Sequence, residues 1–175
     1  MTRLLALLPA LLFVGIVGIF ALGLRGDPAK LPSVLIDKPL PHFELAGLDG
    51  PGFGSQAFVG EPRLLNIFGS WCAACQGEHP MLARIAGEGV PVYGIDWKDT
   101  DVAARAWLAK LGNPYARIAV DPSARTGIDL GVTGAPETFV VDKRGRVRFK
   151  QIGPITPQDW EETLKPMLAR LRDEA

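Results

Sequence analysis

Only two of the 175 residues are cysteine and only two are histidine, and that scarcity removes several chemistries. A structural zinc site takes four ligands. Beyond Cys72 and Cys75 the soft donors are His42 and His79, and His42 lies in a segment that would have to fold over the pair to close a site. Haem attachment takes C-x-x-C-H, and Gln76 stands where the histidine belongs. A disulfide across so small a loop constrains little of the unfolded chain, which makes a purely structural staple a poor use of the pair. Neither sign of charge is in excess, since 19 lysines and arginines balance 19 aspartates and glutamates. Arg3 and Arg25 are the only charges before residue 27, and without them 17 basic residues face 19 acidic ones. A nucleic-acid binder needs a basic stripe, and no nucleic-acid partner is expected. The densest run, "DKRGRVRFK" at 142–150, has the turn and alternation of a hairpin with a solvated face. A nucleotide fingerprint is missing too: Gly50, Gly52 and Gly54 are not spaced as G-x-G-x-x-G, and no helix pattern follows them.

One long apolar run is present. Residues 4–24 carry no charge, and about 20 apolar residues suit a membrane-spanning helix. The run exceeds the apolar stretch of a cleaved signal peptide, and no clear A-x-A site follows. The reading is a retained anchor over 1–26, with the membrane engaged through residues 4–24. Residues 27–40 form a proline-rich linker, in which proline favours a semi-rigid spacer, and 41–175 a single globular domain.

Within that domain "HFELAGLDGPGFG" fits an edge hairpin, and "RLLNIFGS" has the length of a buried strand. A helix is expected from the cysteines through "HPMLARIAGEG", with Met81, Leu82 and Ile85 at helical spacing. "VPVYGID" and "ARIAV" read as further strands, with a helix from Thr100 between them that stops at Gly112–Pro114. "ETFVVD" and "RVRFKQI" pair across a tight turn. A last helix opens at Thr156, a side-chain cap followed by Pro157 and Asp159. The order hairpin, β, α, β, α, β, β, α gives an α/β fold, a central mixed sheet flanked by helices with a hairpin ahead of it.

A strand ending near Gly69 and a helix starting at the cysteines place Cys72 at the helix N-terminus, where unpaired N–H groups stabilise a thiolate. This favours redox use. Cys72 is then the nucleophile, its pKa below the free-thiol value of about 8.5. Cys75, one turn in and more shielded, resolves the mixed disulfide.

"NIFGSWCAACQGEHP", "VYGIDWKD" at 92–99, "LGNPYA" at 111–116 and "GVTGAPETFVVD" at 131–142 together resemble the thioredoxin-like CcmG/DsbE branch that serves cytochrome c maturation. The resemblance covers nearly everything after residue 40. It implies that Pro136, preceded by Ala135, is a cis-proline facing the cysteines, where its missing N–H leaves neighbouring backbone groups free for an extended substrate segment. Pro80 matches the proline inside the active-site helix. Glu78 and Glu137 match acidic positions around the groove, where a carboxylate near Cys72 would raise its pKa; a solvated surface role is the alternative for both. Trp71 is implied to flank the sulfur and meet partners, with core packing as its alternative. Asn66 also sits at a family position, with no chemistry assigned to it.

The activity implied is a thiol-disulfide oxidoreductase in the bacterial inner membrane, single-pass, with its soluble domain in the periplasm. It would reduce the disulfide of apocytochrome c or of a cytochrome c maturation thiol protein. Many relatives carry a proline between the cysteines, where this chain has Ala73 and Ala74. With no cation there to stabilise the reduced form, the couple is the more reducing. No other cysteine and no nucleotide fingerprint is present, so no cofactor is expected beyond the redox-active Cys72–Cys75 disulfide, and electrons come from a membrane donor of the CcdA/DsbD kind. A general thiol oxidant or isomerase, and a non-catalytic docking module, are the competing functions.

Overall fold

The computed structural model describes residues 8–23 and 33–174, in two compact units that divide after Leu31. The described part of the first unit is one helix, α1 (Leu8–Gly23), of 16 residues with no charged side chain. It is about 24 Å long at 1.5 Å per residue. No helix among the described residues is long and apolar enough to cross a membrane. The rest of the expected anchor and residues 27–32 of the linker lie outside the described residues.

Residues 33–40, expected as spacer, are instead packed on the second unit. Asp37 donates its N–H to the Val147 carbonyl at 2.7 Å and Leu40 to that of Gly145 at 2.8 Å, and the Leu40 side chain is buried. Pro39 pairs as an isolated bridge with Arg146, an edge position that tolerates a residue without an N–H.

The expected hairpin is present as β1 (Glu44–Leu45) and β2 (Phe53–Gly54). The main sheet holds β3 (Arg63–Phe68), β4 (Val92–Trp97), β5 (Arg117–Asp121), β6 (Glu137–Val141) and β7 (Val147–Ile152), in the order β5-β4-β3-β6-β7. β3, β4 and β5 are parallel, β6 runs antiparallel to β3, and β7 runs antiparallel to β6 at the edge. Helix α2 (Ala73–Gly87) follows β3, and α3 (Asp101–Leu111) follows β4. Thr100 caps α3 as expected, accepting from the Ala103 N–H at 3.3 Å.

The central strands are buried on both faces, which is why they read as apolar runs rather than as alternations. Leu64 and Phe68 pack with Leu82 and Ile85 of α2 on one face. Leu65 and Ile67 pack with Phe53, Phe58 and Phe139 on the other. Gly94 is required by this packing: a Cβ there would stand 2.8 Å from the Tyr115 ring and 2.9 Å from Phe68, and those two rings stack at 4.6 Å.

A short helix, α4 (Arg125–Asp129), was not foreseen, because five residues are too few for a periodic signal. The last helix is interrupted: α5 (Pro157–Asp159) and α6 (Lys165–Asp173) are separated by a π-helical turn, Trp160–Leu164. Pro166 has no N–H to offer the Glu162 carbonyl, and the wider turn accommodates that missing bond. Thr156 and Asp159 form a reciprocal capping box. Thr156→Ala should lower stability by about 1 kcal/mol, and an unchanged urea midpoint would refute the cap's contribution.

Strand direction sets the site. The chain leaves β3 at Phe68 toward the cysteines, and β6 enters beside it, with Ile67 opposite Glu137. The segment through Pro136 therefore arrives at the end of the sheet from which Cys72 departs.

Candidate active site

Cys72 is the N-cap of α2, and its sulfur accepts from the Cys75 N–H at 3.1 Å. A disulfide joins the two cysteines, with Cα atoms 5.2 Å apart. Both are buried, Cys72 at 5% exposure and Cys75 at 2%. The Ala135–Pro136 peptide is cis, and the Ala135 carbonyl oxygen lies 3.2 Å from the Cys72 sulfur. In the disulfide that sulfur carries no hydrogen, so the approach is a contact; a reduced Cys72 thiol would donate to the same oxygen. A thiolate there would be favoured by the helix N-terminus and opposed by the negative end of the Ala135 carbonyl. Two opposite influences thus meet on one atom.

Glu78 is not a solvated surface residue. It is 1% exposed and sits three positions after Cys75, on the same side of the helix. Its oxygens accept from the Asn66 side-chain amide at 3.1 Å and from the Ile155 N–H at 2.8 Å. Burial dominates over both bonds and raises its pKa from 4.5 to about 7. Asn66 is the hub of this cluster: its amide also donates to the Thr138 hydroxyl at 2.9 Å, and its carbonyl accepts from the Tyr115 hydroxyl at 2.9 Å. Burial, then the nearby Glu78 and Asp96, push the Tyr115 hydroxyl well above its ordinary pKa of 10. Tyr115 therefore stays a hydrogen-bond donor.

Glu137 is likewise buried, at 0% exposure. It is held by Lys150 at 2.9 Å and by the Thr133 N–H at 3.0 Å. Lys150 correspondingly departs from the solvated face expected for residues 142–150, its side chain being only 5% exposed. Trp71 is not core: 52% exposed, it donates from Nε1 to the Trp97 carbonyl at 3.1 Å. His79 donates toward the Gly112 carbonyl at 3.1 Å, its other ring nitrogen has no hydrogen-bond partner among the described residues, and burial lowers its pKa. Pro80 lies inside α2, which continues as one helix through it.

Cys72, Cys75, Trp71, Ala135 and Pro136 come together at the end of the sheet, with Glu78 beneath them in α2. Asn66, Tyr115 and Thr138 were not assigned roles from sequence. The readable signal was Asn66 itself, a polar residue inside the apolar run of β3, whose burial demands partners. A dithiol couple beside a carboxyl group that titrates near neutrality can exchange electrons and protons with a partner's disulfide.

The redoxin family model matches residues 36–167. The chain is 45% identical over 168 residues to a thiol:disulfide interchange protein DsbE from Allochromatium vinosum, covering 94% of this chain and 93% of that one. It is 44% identical over 177 residues to the Pseudomonas aeruginosa protein of the same name, covering 99% and 98%. Among solved structures, a thio-disulfide isomerase from Thermus thermophilus superposes with a TM-score of 0.64 at 29% identity, covering 79% of this chain and 97% of that one.

Proposed function

The chain belongs to the redoxin family, and within it to the DsbE thiol:disulfide interchange proteins, and from that premise we propose that this oxidoreductase works as an electron donor in cytochrome c biogenesis. Cys72 attacks a disulfide of the partner, and one partner sulfur leaves as a thiolate. Cys75 then attacks the Cys72 sulfur, releasing the second partner sulfur and closing the Cys72–Cys75 disulfide. Two electrons pass to the partner, which is left as a dithiol. The disulfide is the redox group, with no further cofactor.

The observation that carries the direction is the surroundings of the Cys72 sulfur. Against the partial positive charge of one helix end stands the Ala135 carbonyl at 3.2 Å, and Ala73 and Ala74 between the cysteines bring no cation. A less stabilised thiolate makes a stronger reductant. The half-exposed Trp71 and the segment at Ala135–Pro136 flank the sulfur as a surface for an extended partner strand.

The partner is an apocytochrome c disulfide or that of a maturation thiol protein. Electrons return from a membrane dithiol of the CcdA/DsbD kind, since the chain has no thiol outside the pair. The charge-free run 4–24 supports an anchor in the bacterial inner membrane, with residues 41–175 as the periplasmic domain, and tethering raises the effective concentration of donor and acceptor. In cells expressing Cys75→Ser, we expect a mixed disulfide between Cys72 and an apocytochrome or maturation protein. Recovery of no cysteine-bearing partner would overturn the assignment. A reduction potential near about −120 mV, the range of strong oxidants, would instead make the protein an oxidant.

A further inference from the structure

Packing accounts for the ring of Tyr115 but not for its hydroxyl. Gly94 of β4 leaves room for the ring, which stacks on Phe68, and the Tyr115 N–H donates to the Asn113 side-chain oxygen at 2.9 Å. A phenylalanine would fill the same space. The hydroxyl belongs to a buried residue and donates to the Asn66 side-chain carbonyl at 2.9 Å. Asn66 in turn ties together the elements that carry the site. Its own strand, β3, runs on through Phe68 toward Cys72. Its amide donates at 2.9 Å to Thr138, the residue opposite it on β6 and two after Pro136. The same amide donates at 3.1 Å to Glu78, three residues after Cys75 in α2. The other Glu78 oxygen accepts from the Ile155 N–H, so both carboxyl oxygens face N–H donors.

A side-chain amide has a carbonyl end and an N–H end, and its partners decide which way it points. Thr138 does not choose, since a hydroxyl donates or accepts. Glu78 chooses according to its charge: a carboxylate takes an N–H, whereas a carboxylic acid can give its O–H to a carbonyl. Tyr115 chooses independently of Glu78. Were the amide turned over, the phenol oxygen would accept from it, and the O–H would lose its acceptor in a buried position, where an unmet donor is costly.

We propose that, with the Cys72–Cys75 couple as the site of exchange, Tyr115 is a positioning residue: its hydroxyl holds the Asn66 amide toward Glu78 and so favours the charged form of the carboxyl group beside the dithiol. N–H donors stabilise a carboxylate, and a carbonyl in their place would stabilise the acid. The groups that meet Glu78 are the Asn66 amide from β3 and the Ile155 N–H from the turn after β7. Neither is charged. The titratable groups around it are the Tyr115 hydroxyl, with Asp96 of β4 near that hydroxyl, and on its own helix Cys75 and His79. Burial of Glu78 opposes the two hydrogen bonds and brings its titration to about 7, so a change at Asn66 falls in the range where the carboxyl group changes charge.

The test uses the full chain in its oxidised form, in which the cysteine sulfurs do not titrate, and the variant Tyr115→Phe, which keeps the ring and removes only the hydroxyl. The Glu78 carboxyl carbon, followed by NMR against pH, should titrate about one unit higher in the variant than in wild type, the scale of a hydrogen bond lost from a carboxylate. The Asn66 amide protons should lose their proximity to Thr138 and turn toward the substituted ring. In an Asn66→Ala background, Tyr115→Phe should leave the Glu78 midpoint where it stands, because the hydroxyl acts through Asn66. If Asn66→Ala does not fold, the amide-proton contacts decide the same point. In the reduced proteins, the ratio of variant to wild-type rates on a small aromatic disulfide should change as pH passes through the Glu78 range. Coincident Glu78 titrations in wild type and Tyr115→Phe would overturn the proposal, as would unchanged Asn66 amide contacts or a rate ratio constant with pH. The NMR readouts do not depend on electron transfer, so a failure of the exchange reading is seen separately, as reduced wild-type protein that does not reduce the disulfide.

Discussion

Replacing Cys72 with serine should reduce disulfide exchange by a factor on the order of 10³ or more, the scale of losing a covalent nucleophile. A serine hydroxyl stays protonated at neutral pH, and no cysteine other than Cys75 is present to substitute. Cys75 is a poor replacement because it lies within the first turn of α2, whereas Cys72 occupies the N-cap and its sulfur receives the Cys75 N–H. Serine at 75 should behave differently: attack at Cys72 continues, but the mixed disulfide is no longer released internally, so a single round of labelling accumulates where turnover stops. The measurement is reduction of a protein disulfide under steady-state conditions, together with intact mass after one equivalent of substrate. A mixed disulfide of equal yield in the two variants, or sustained turnover by either of them, would contradict the division of labour between the cysteines.

The parts of the fold that were legible are those governed by local rules. Thr100 and Thr156 announce helix starts because a hydroxyl at the N-cap satisfies a free N–H. Cys72 could be placed at a helix end because a buried strand stops just before it. Glu78 shows how a legible signal was passed over. It forms with Met81, Leu82 and Ile85 the spacing i, i+3, i+4, i+7 of a buried helical stripe, but a glutamate at its head reads equally as a groove acid or a solvated one, because acids are mostly exposed. Asn66 is the matching clue on β3, and each polar group compensates the burial of the other.

Other features follow from long-range geometry. Lys150 stands opposite Phe139 in the register of β6 and β7, which is shifted at Val140/Val141, and it reaches diagonally to Glu137. A one-residue change of register would turn that side chain to the other face, so its burial was not readable from the charge run alone. The packing of residues 33–40 on β7 is similarly non-local, and their prolines pointed toward an extended spacer. The turn that carries Asp99 to the Ser70 N–H passes through the left-handed Lys98, a conformation that nothing in the residue type announces.

Glu78→Gln should remove a fall in stability that the oxidised wild-type protein shows between about pH 4.5 and 7. The sign follows from proton binding. Burial raises the folded-state pKa of Glu78 from 4.5 to about 7, so in that window the folded chain holds a proton that the unfolded chain has released. Stability from this group is fully present below the unfolded value and is lost as pH rises through the folded one. A shift of that size corresponds to roughly 3 kcal/mol across the window. Glutamine cannot titrate, but its amide cannot accept from both the Asn66 side chain and the Ile155 N–H as the two carboxyl oxygens do. One lost bond to a buried donor costs about 1–3 kcal/mol. The variant should therefore be less stable than wild type in acid and should draw level with it or pass it at alkaline pH. Urea unfolding of both proteins without reductant, across this range, gives the difference directly and cancels the titration of residues they share. A wild-type-minus-variant difference that does not change with pH would mean that Glu78 is ionised throughout, held by its two hydrogen bonds against the cost of burial.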